Sequence, residues 1–252
     1  GGTVMTGGFT VLDVDLLPDR VVVLLDRPEA RNAIDQAMVD ELHRVCDMLE
    51  RDPRILLLGG KGGVFAAGAD IAQLRHRRRE DALRGINSGL FDRIRRLPMP
   101  VIGLLDGHAL GGGAELAYAC DLRIGTPRLR MGNPEPGLGI LAAAGATWRL
   151  GELVGEPLAK EILLAGRVLS GDEALAMRLV SELVEPEELL AAGGRWADRI
   201  SRQSALAVRL TKAAFHAPRE AHPYIDDLTQ AVLFETEEKE ERMTAFLEKR
   251  KK

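Results

Sequence analysis

Aromatic residues are scarce in this chain of 252 residues: six Phe, two Tyr and two Trp, 4% in all. The core must therefore be filled by Leu, Val, Ile and Ala from the 46% hydrophobic fraction. Cysteine is scarcer still. Cys46 and Cys120 form no CxxC pair, and no Cys/His cluster suggests zinc. Two unpaired thiols favour a reducing compartment. Positive charge is not in excess: 34 Lys and Arg stand against 38 Asp and Glu, a net charge of −4. The basic footprint of a nucleic-acid binder is missing. There is also no long apolar run. The most apolar stretch, 101–120, is broken by Asp106, His108 and Glu115, whereas a membrane span needs about 20 mostly apolar residues. No basic region followed by an apolar run opens the sequence, Met5 reads as a candidate start, and a cytoplasmic setting is expected.

Alternating strand and helix signals run as far as residue 185. Residues 9–15 and 20–26 read as a hairpin around Pro18-Asp19. Asp35 is placed to cap a helix running to about Glu50, with Met38, Leu42, Val45, Cys46 and Leu49 on one face. Buried strands are expected at 54–60 and 101–107, short strands within 121–132, and helices at 71–74, 81–97, 143–154 and 157–165. Residues 167–184 read as strand, helix capped by Ser170, and strand; from about Glu187 only helical periodicity remains. This order favours the α/β class.

Glycine is plentiful, with 27 residues, and its placement carries the chemistry. Gly111, Gly112 and Gly113 stand where a helix begins, although glycine costs roughly 1 kcal/mol against alanine inside a helix. The first N–H groups of a helix lack intrahelical partners and carry partial positive charge, and glycine lets a ligand approach them. Glu115, three residues after Gly112, shares their face. The segment AAGAD, 66–70, is suited to supply a second N–H to the same oxygen, which would make an oxyanion hole. In NPEPGLG, Glu135 lies between Pro134 and Pro136, and the following proline favours an extended backbone there. Each feature also has a structural reading. The glycines could serve close packing, Glu115 could complement the helix dipole, and Glu135 could be a surface turn residue. The basic run RHRRRE, 75–80, reads as a solvated loop or as a contact for phosphates, and His108 as structural.

The segments LDRPEARNAID, VFAAGADI, PVIGLLDGHALGGGAELAYACDLRI, NPEPGLGI and MTAFLEKRKK together resemble the enoyl-CoA hydratase/isomerase (crotonase) superfamily, in its order and spacing over nearly the whole chain. The resemblance implies a spiral of repeated ββα units over residues 1–190, followed over 191–252 by a helical region that builds trimers, often paired into hexamers. It implies an acyl-CoA thioester substrate and no cofactor beyond it, no metal, no nucleic acid and no membrane. It carries the oxyanion hole onto the N–H groups of Ala69 and Gly112, and the acid–base pair onto Glu115 and Glu135. Keeping both glutamates favours hydration of a 2-trans-enoyl-CoA to a 3-hydroxyacyl-CoA. Isomerisation or another acyl-CoA reaction in the same site, and a non-catalytic binding role, are the alternatives. CoA contacts are implied for Arg27, Arg31, Ala33, Ala67, Asp70, Ile71, Phe246 and Lys249. One departure stands out. Ala142 and Ala143 replace the proline and glycine usual in hydratases; the glycine usually presents its N–H to the catalytic water, and alanine disfavours positive φ.

Overall fold

The computed structural model describes residues 7–251; residues 1–6, Met5 among them, and Lys252 lie outside the described residues. The chain forms two compact units, one through Ala197 and one over Asp198–Lys252.

The first unit opens with the expected hairpin, β1 (Leu12–Leu16) against β2 (Arg20–Leu25), antiparallel. Asp35 then caps α1 (Gln36–Arg51), its carboxylate accepting from the N–H of Met38 at 2.9 Å, a cap worth about 1 kcal/mol. The α1 face of Met38, Leu42, Val45, Cys46 and Leu49 is buried, as its period requires. Burial pushes the Cys46 thiol up to about 12, so it behaves as a small apolar side chain. Next comes β3 (Ile55–Gly60), then three short helices, α2 (Ile71–His76), α3 (Arg79–Leu83) and α4 (Ile86–Arg95). One helix was expected over 81–97. The structure breaks it at Gly85, whose φ of +61° stops the turn.

Then follow β4 (Val101–Leu105), β5 (His108–Leu110), α5 (Gly112–Ala119), β6 (Leu122–Gly125) and β7 (Arg130–Gly132). After these come α6 (Ala146–Val154), α7 (Glu156–Ala165), β8 (Leu169–Ser170), α8 (Gly171–Ala176) and β9 (Glu182–Leu183). Ser170 caps α8 in a reciprocal box with Glu173. The larger sheet has the order β1-β2-β3-β4-β6-β9, parallel from β2 onward. The smaller sheet has the order β5-β7-β8. The turns that start at β4 and β6 thus each leave a strand in the larger sheet, a strand in the smaller sheet and then a helix. The turn after β3 does the same through a single bridge, Ala66 to Ala109. β4 is buried along its whole length, as a central parallel strand should be.

After α9 (Leu189–Ser201), which straddles the boundary between units, the second unit is helical: α10 (Ala205–His216), α11 (Tyr224–Phe234) and α12 (Glu237–Lys249). Phe215, Tyr224, Val232 and Phe234 are exposed on it. Among the described residues no helix is long and apolar enough to cross a membrane, and no group of three His, Cys, Asp or Glu is placed to hold a metal.

A Cβ on Gly113 would lie 2.2 Å from the carbonyl oxygen of Ala66. Gly113→Ala is therefore expected to cost about 3 kcal/mol. Gly151→Ala, in α6 with nothing within 4 Å, is expected to add about 0.5–1 kcal/mol. Urea denaturation of both variants checks the contrast.

Candidate active site

Three backbone segments converge at the start of α5. Ala66 donates to His108 at 3.0 Å and accepts from Leu110 at 3.1 Å, which lays the 66–70 loop along β5. Gly111, the residue before α5, has φ +56° and donates to Gly132 at 2.9 Å. That bond draws in the third segment, which carries Asn133 and Glu135. Only Gly111 of the three glycines precedes the helix; Gly112 and Gly113 form its first turn.

The Ala69 nitrogen lies 3.4 Å from where a Gly112 Cβ would be, and the Gly112 nitrogen 3.8 Å from where a Gly68 Cβ would be. The two amides are therefore neighbours. Among the described residues neither N–H finds an acceptor. The bridge of Ala69 to Ile34 uses the flanking groups instead, Ile34 N–H to Gly68 and Asp70 N–H to Ile34.

All eight residues of α5 are buried, and Glu115, 4% exposed, is its only charged member. Its Oε2 accepts from the N–H of Ala146 at 3.0 Å, and the Ala144 N–H also stabilises its charge. Burial outweighs these bonds, and together with the Glu135 charge it raises the carboxyl from 4.5 to about 7. Glu135 is 7% exposed and is also raised by burial, against its own N–H and the Asn133 amide. Asn133 is fixed in turn, accepting from the Tyr118 hydroxyl at 2.8 Å and donating to Gly111 at 3.3 Å and to Glu135 Oε1 at 3.4 Å. The other oxygen, Glu135 Oε2, is buried without a partner.

The expectation of an extended Glu135 is corrected here. The residue opens a 3-10 turn over Glu135–Leu138. Bonds from Gly137 to Pro134, Gly139 to Pro136 and Ile140 to Glu135 outweigh the pre-proline bias. The expected helix 143–154 begins at Ala146, because Gly145, with φ +130°, is its N-cap. Ala143 is not among the residues with positive φ, so the strain expected of alanine there does not arise.

Ala67, Ala69, Ile71, Gly112, Glu115 and Glu135 all line one cleft of about 800 Å³. Arg27, Arg31, Ala33 and Asp70 are not on its wall. Arg27 bonds the Ala33 carbonyl and the Asp70 carboxylate, both at 3.0 Å; Asp70 caps α2; Arg31 meets His108. They hold the loop that carries Ala67 and Ala69. Phe246 and Lys249 lie on α12 of the second unit, both exposed. Arg75, Arg77, Arg78 and Arg79 line the cleft, so the basic run does not simply face away into solvent. Sequence reasoning missed Asn133, Tyr118 and Ala146. Only Asn133 had a signal, its place beside Pro134-Glu135 in the quoted turn.

With this geometry in place, the comparisons with known proteins agree. The family model "Enoyl-CoA hydratase/isomerase" matches residues 20–252. The chain is 36% identical over 247 residues to the short-chain-enoyl-CoA hydratase of Clostridium acetobutylicum, covering 91% of this chain and 92% of that protein. It is 38% identical over 239 residues to the crotonyl-CoA hydratase of Syntrophomonas wolfei, with coverage of 91% and 92%. An enoyl-CoA hydratase crystal structure from Geobacillus kaustophilus superposes with a TM-score of 0.90 at 33% identity, over 96% of each chain. The chain belongs to the enoyl-CoA hydratase/isomerase family and has the crotonase fold.

The folded protein holds the Glu115 proton more tightly than the unfolded chain does. Ionising Glu115 therefore erodes stability as pH rises from about 4.5 to 7, and the full loss is present above pH 7. Glu115→Gln removes that charge. It is expected to be more stable than the parent by about 3 kcal/mol at pH 8, the gap closing as pH falls towards 4.5. Denaturant titrations at the two pH values check this.

Proposed function

We propose that this chain is an enoyl-CoA hydratase, adding water across the double bond of a 2-trans-enoyl-CoA to give a 3-hydroxyacyl-CoA. The observation that carries the reading is the meeting, in one cleft, of two unpartnered amides and two buried carboxyl groups. The Ala69 and Gly112 N–H groups receive the thioester carbonyl oxygen and stabilise the charge it gains as an enolate, a few kcal/mol per donor. Glu115 and Glu135 hold one water between them. Mutual repulsion favours the pair carrying a single proton. The water oxygen adds to C3, its proton passes to Glu115, and Glu135 gives a proton to C2. The unpartnered Oε2 of Glu135 suits it to face water or substrate.

Coenzyme A is part of the substrate, and no other cofactor or metal enters. Ala67 and Ile71 on the cleft wall contact the pantetheine arm. The four arginines over 75–79 bring positive charge to the polyanionic end of CoA. Arg27, Arg31, Ala33 and Asp70 fix the loop; Phe246 and Lys249, exposed on α12, stay the resemblance's candidates for nucleotide contact. A trimer or hexamer is supported by the apolar residues that α10 and α11 expose, Phe215 being 78% and Tyr224 71% accessible. A cytoplasmic setting is supported by two buried cysteines that form no disulfide.

Crotonyl-CoA hydration, followed as loss of the conjugated thioester absorbance, tests the reading. Glu115→Gln and Glu135→Gln should each lower kcat by roughly 10²–10⁴. Double-bond migration in a 3-enoyl-CoA that is nearly unaffected by Glu115→Gln, with little hydration of crotonyl-CoA by the parent, would point to single-base isomerisation. A parent protein inert towards short, medium and aromatic enoyl-CoAs would leave only a binding role.

A further inference from the structure

A second cavity, of about 330 Å³, adjoins the cleft; the two share Ser88, Glu115 and Ala144 as wall residues. Glu115 therefore separates the place where the thioester reacts from a chamber beyond it. That chamber is lined by Arg95 and Trp148 as well. The Arg95 guanidinium stacks over the Trp148 ring, 5.0 Å from its centroid. Its Nε is buried without a hydrogen-bond partner. Besides Glu115, which is held by main-chain N–H groups, the other charged wall residues are in ion pairs. Asp92 pairs with Arg96 at 2.9 Å, and Arg149 pairs with Glu152 at 3.3 Å while donating to the Tyr118 carbonyl at 3.1 Å. Among the described residues no carboxylate forms an ion pair with Arg95; Glu152 and Asp92 act on it only at longer range, and its idle Nε is left for an anion in the chamber.

Burial and the neighbouring Arg149 draw Arg95 below the usual guanidinium range, but an arginine stays charged throughout the working pH range. A half-buried cation with an idle donor is unfavourable until an anion meets it. An acyl chain that ends in a methyl group would enclose the charge and leave it unanswered. One that ends in a carboxylate would pair with it, with Trp148 covering the methylenes before it.

We propose that this chamber receives the far end of the acyl chain, and that Arg95 selects acyl groups ending in a carboxylate. The placement of the thioester rests on the hydratase reading above. The chemistry needs no further reactant: water is added across the C2–C3 bond, hydroxyl to C3 and hydrogen to C2, and the distal carboxylate is unchanged.

The test compares saturated thioesters that cannot react and differ only at the far end: adipoyl-CoA with hexanoyl-CoA, and suberoyl-CoA with octanoyl-CoA. Calorimetric titration of the parent protein should show tighter binding of the carboxylate member in at least one pair, by about 10- to 100-fold, the usual worth of a hydrogen bond to a charged group. Arg95→Gln should bring that ratio close to one, and Arg95→Lys, which keeps a charge without the planar fork, should retain part of it. Equal or weaker binding of both carboxylate members by the parent, or a ratio that survives in Arg95→Gln, overturns the proposal. Crotonyl-CoA hydration is measured alongside. Turnover without any carboxylate preference sinks only the role of Arg95. A preference without turnover supports the chamber assignment and removes the hydratase reading instead.

Discussion

The site depends on how closely the 66–70 loop lies against the start of α5. The carbonyl of Ala66 occupies space that any side chain at Gly113 would fill, at 2.2 Å from an ideal Cβ. Next to it, Gly111 adopts φ +56° and leaves room where a Cβ would sit 3.2 Å from Glu135 Oε1. One crossing of backbones thus sets two things together. It makes neighbours of the Ala69 and Gly112 amides, and it lets the Glu135 segment in beside them. The larger sheet supplies the rigidity behind this, since β3 and β4 are paired in parallel and deliver both segments from their C-terminal ends. That is the end at which ligands bind in parallel α/β sheets.

Electrostatics works against packing at the next step. A fully buried helix such as α5 would be most stable with no charge, yet Glu115 sits within it. The main-chain N–H of Ala146 at the start of α6 partly offsets the cost, aided by Ala144. The offset is incomplete, which leaves the carboxyl near neutrality in its affinity for a proton. For the proposed hydration this incompleteness is useful. A well-solvated glutamate would be a weak base at neutral pH, and one with more donors would be weaker still. Glu135 follows the same logic with a different support, the Asn133 amide held by the Tyr118 hydroxyl.

Local signals made much of this visible in the sequence. Asp35 and Ser170 announced their helices because an N-cap acts over three residues. The alternating strands and helices announced the class, and the glycine and glutamate spacing pointed to the groups that the fold brings into one cleft. Less legible features depend on contacts between distant parts of the chain. Ala146 serves Glu115 across 31 residues, and nothing about an alanine marks it as a donor. The arginines over 75–79 looked like a solvated run, because whether they face a cleft depends on where the break at Gly85 turns the chain. That break itself had a local sign, a glycine one residue after Arg84, but the apolar period running on to Leu97 overrode it. The packing reading and the anion-site reading of the glycines are also compatible. Gly113 lies against the Ala66 carbonyl, and Gly112 lies beside the Ala69 amide.

The two ends of the cleft are built from different materials, and this bears on how such a site varies. In the proposed reading the donors around the thioester are main-chain N–H groups, which no substitution removes unless it introduces proline or moves the backbone. Reaction type would there be set by the few carboxyl groups placed nearby. Beyond Glu115 the wall includes Tyr118 and Ala119 of α5, but most of it comes from α4 and from α6 with the residues just before it, Arg95 and Trp148 among them. Single substitutions can change charge and shape there without disturbing the backbone crossing that positions the amides. A scaffold divided in this way can keep its chemistry while its acyl preference drifts. If Arg95 selects the acyl group as proposed, the residues that decide the substrate lie outside the segments that make the family recognisable.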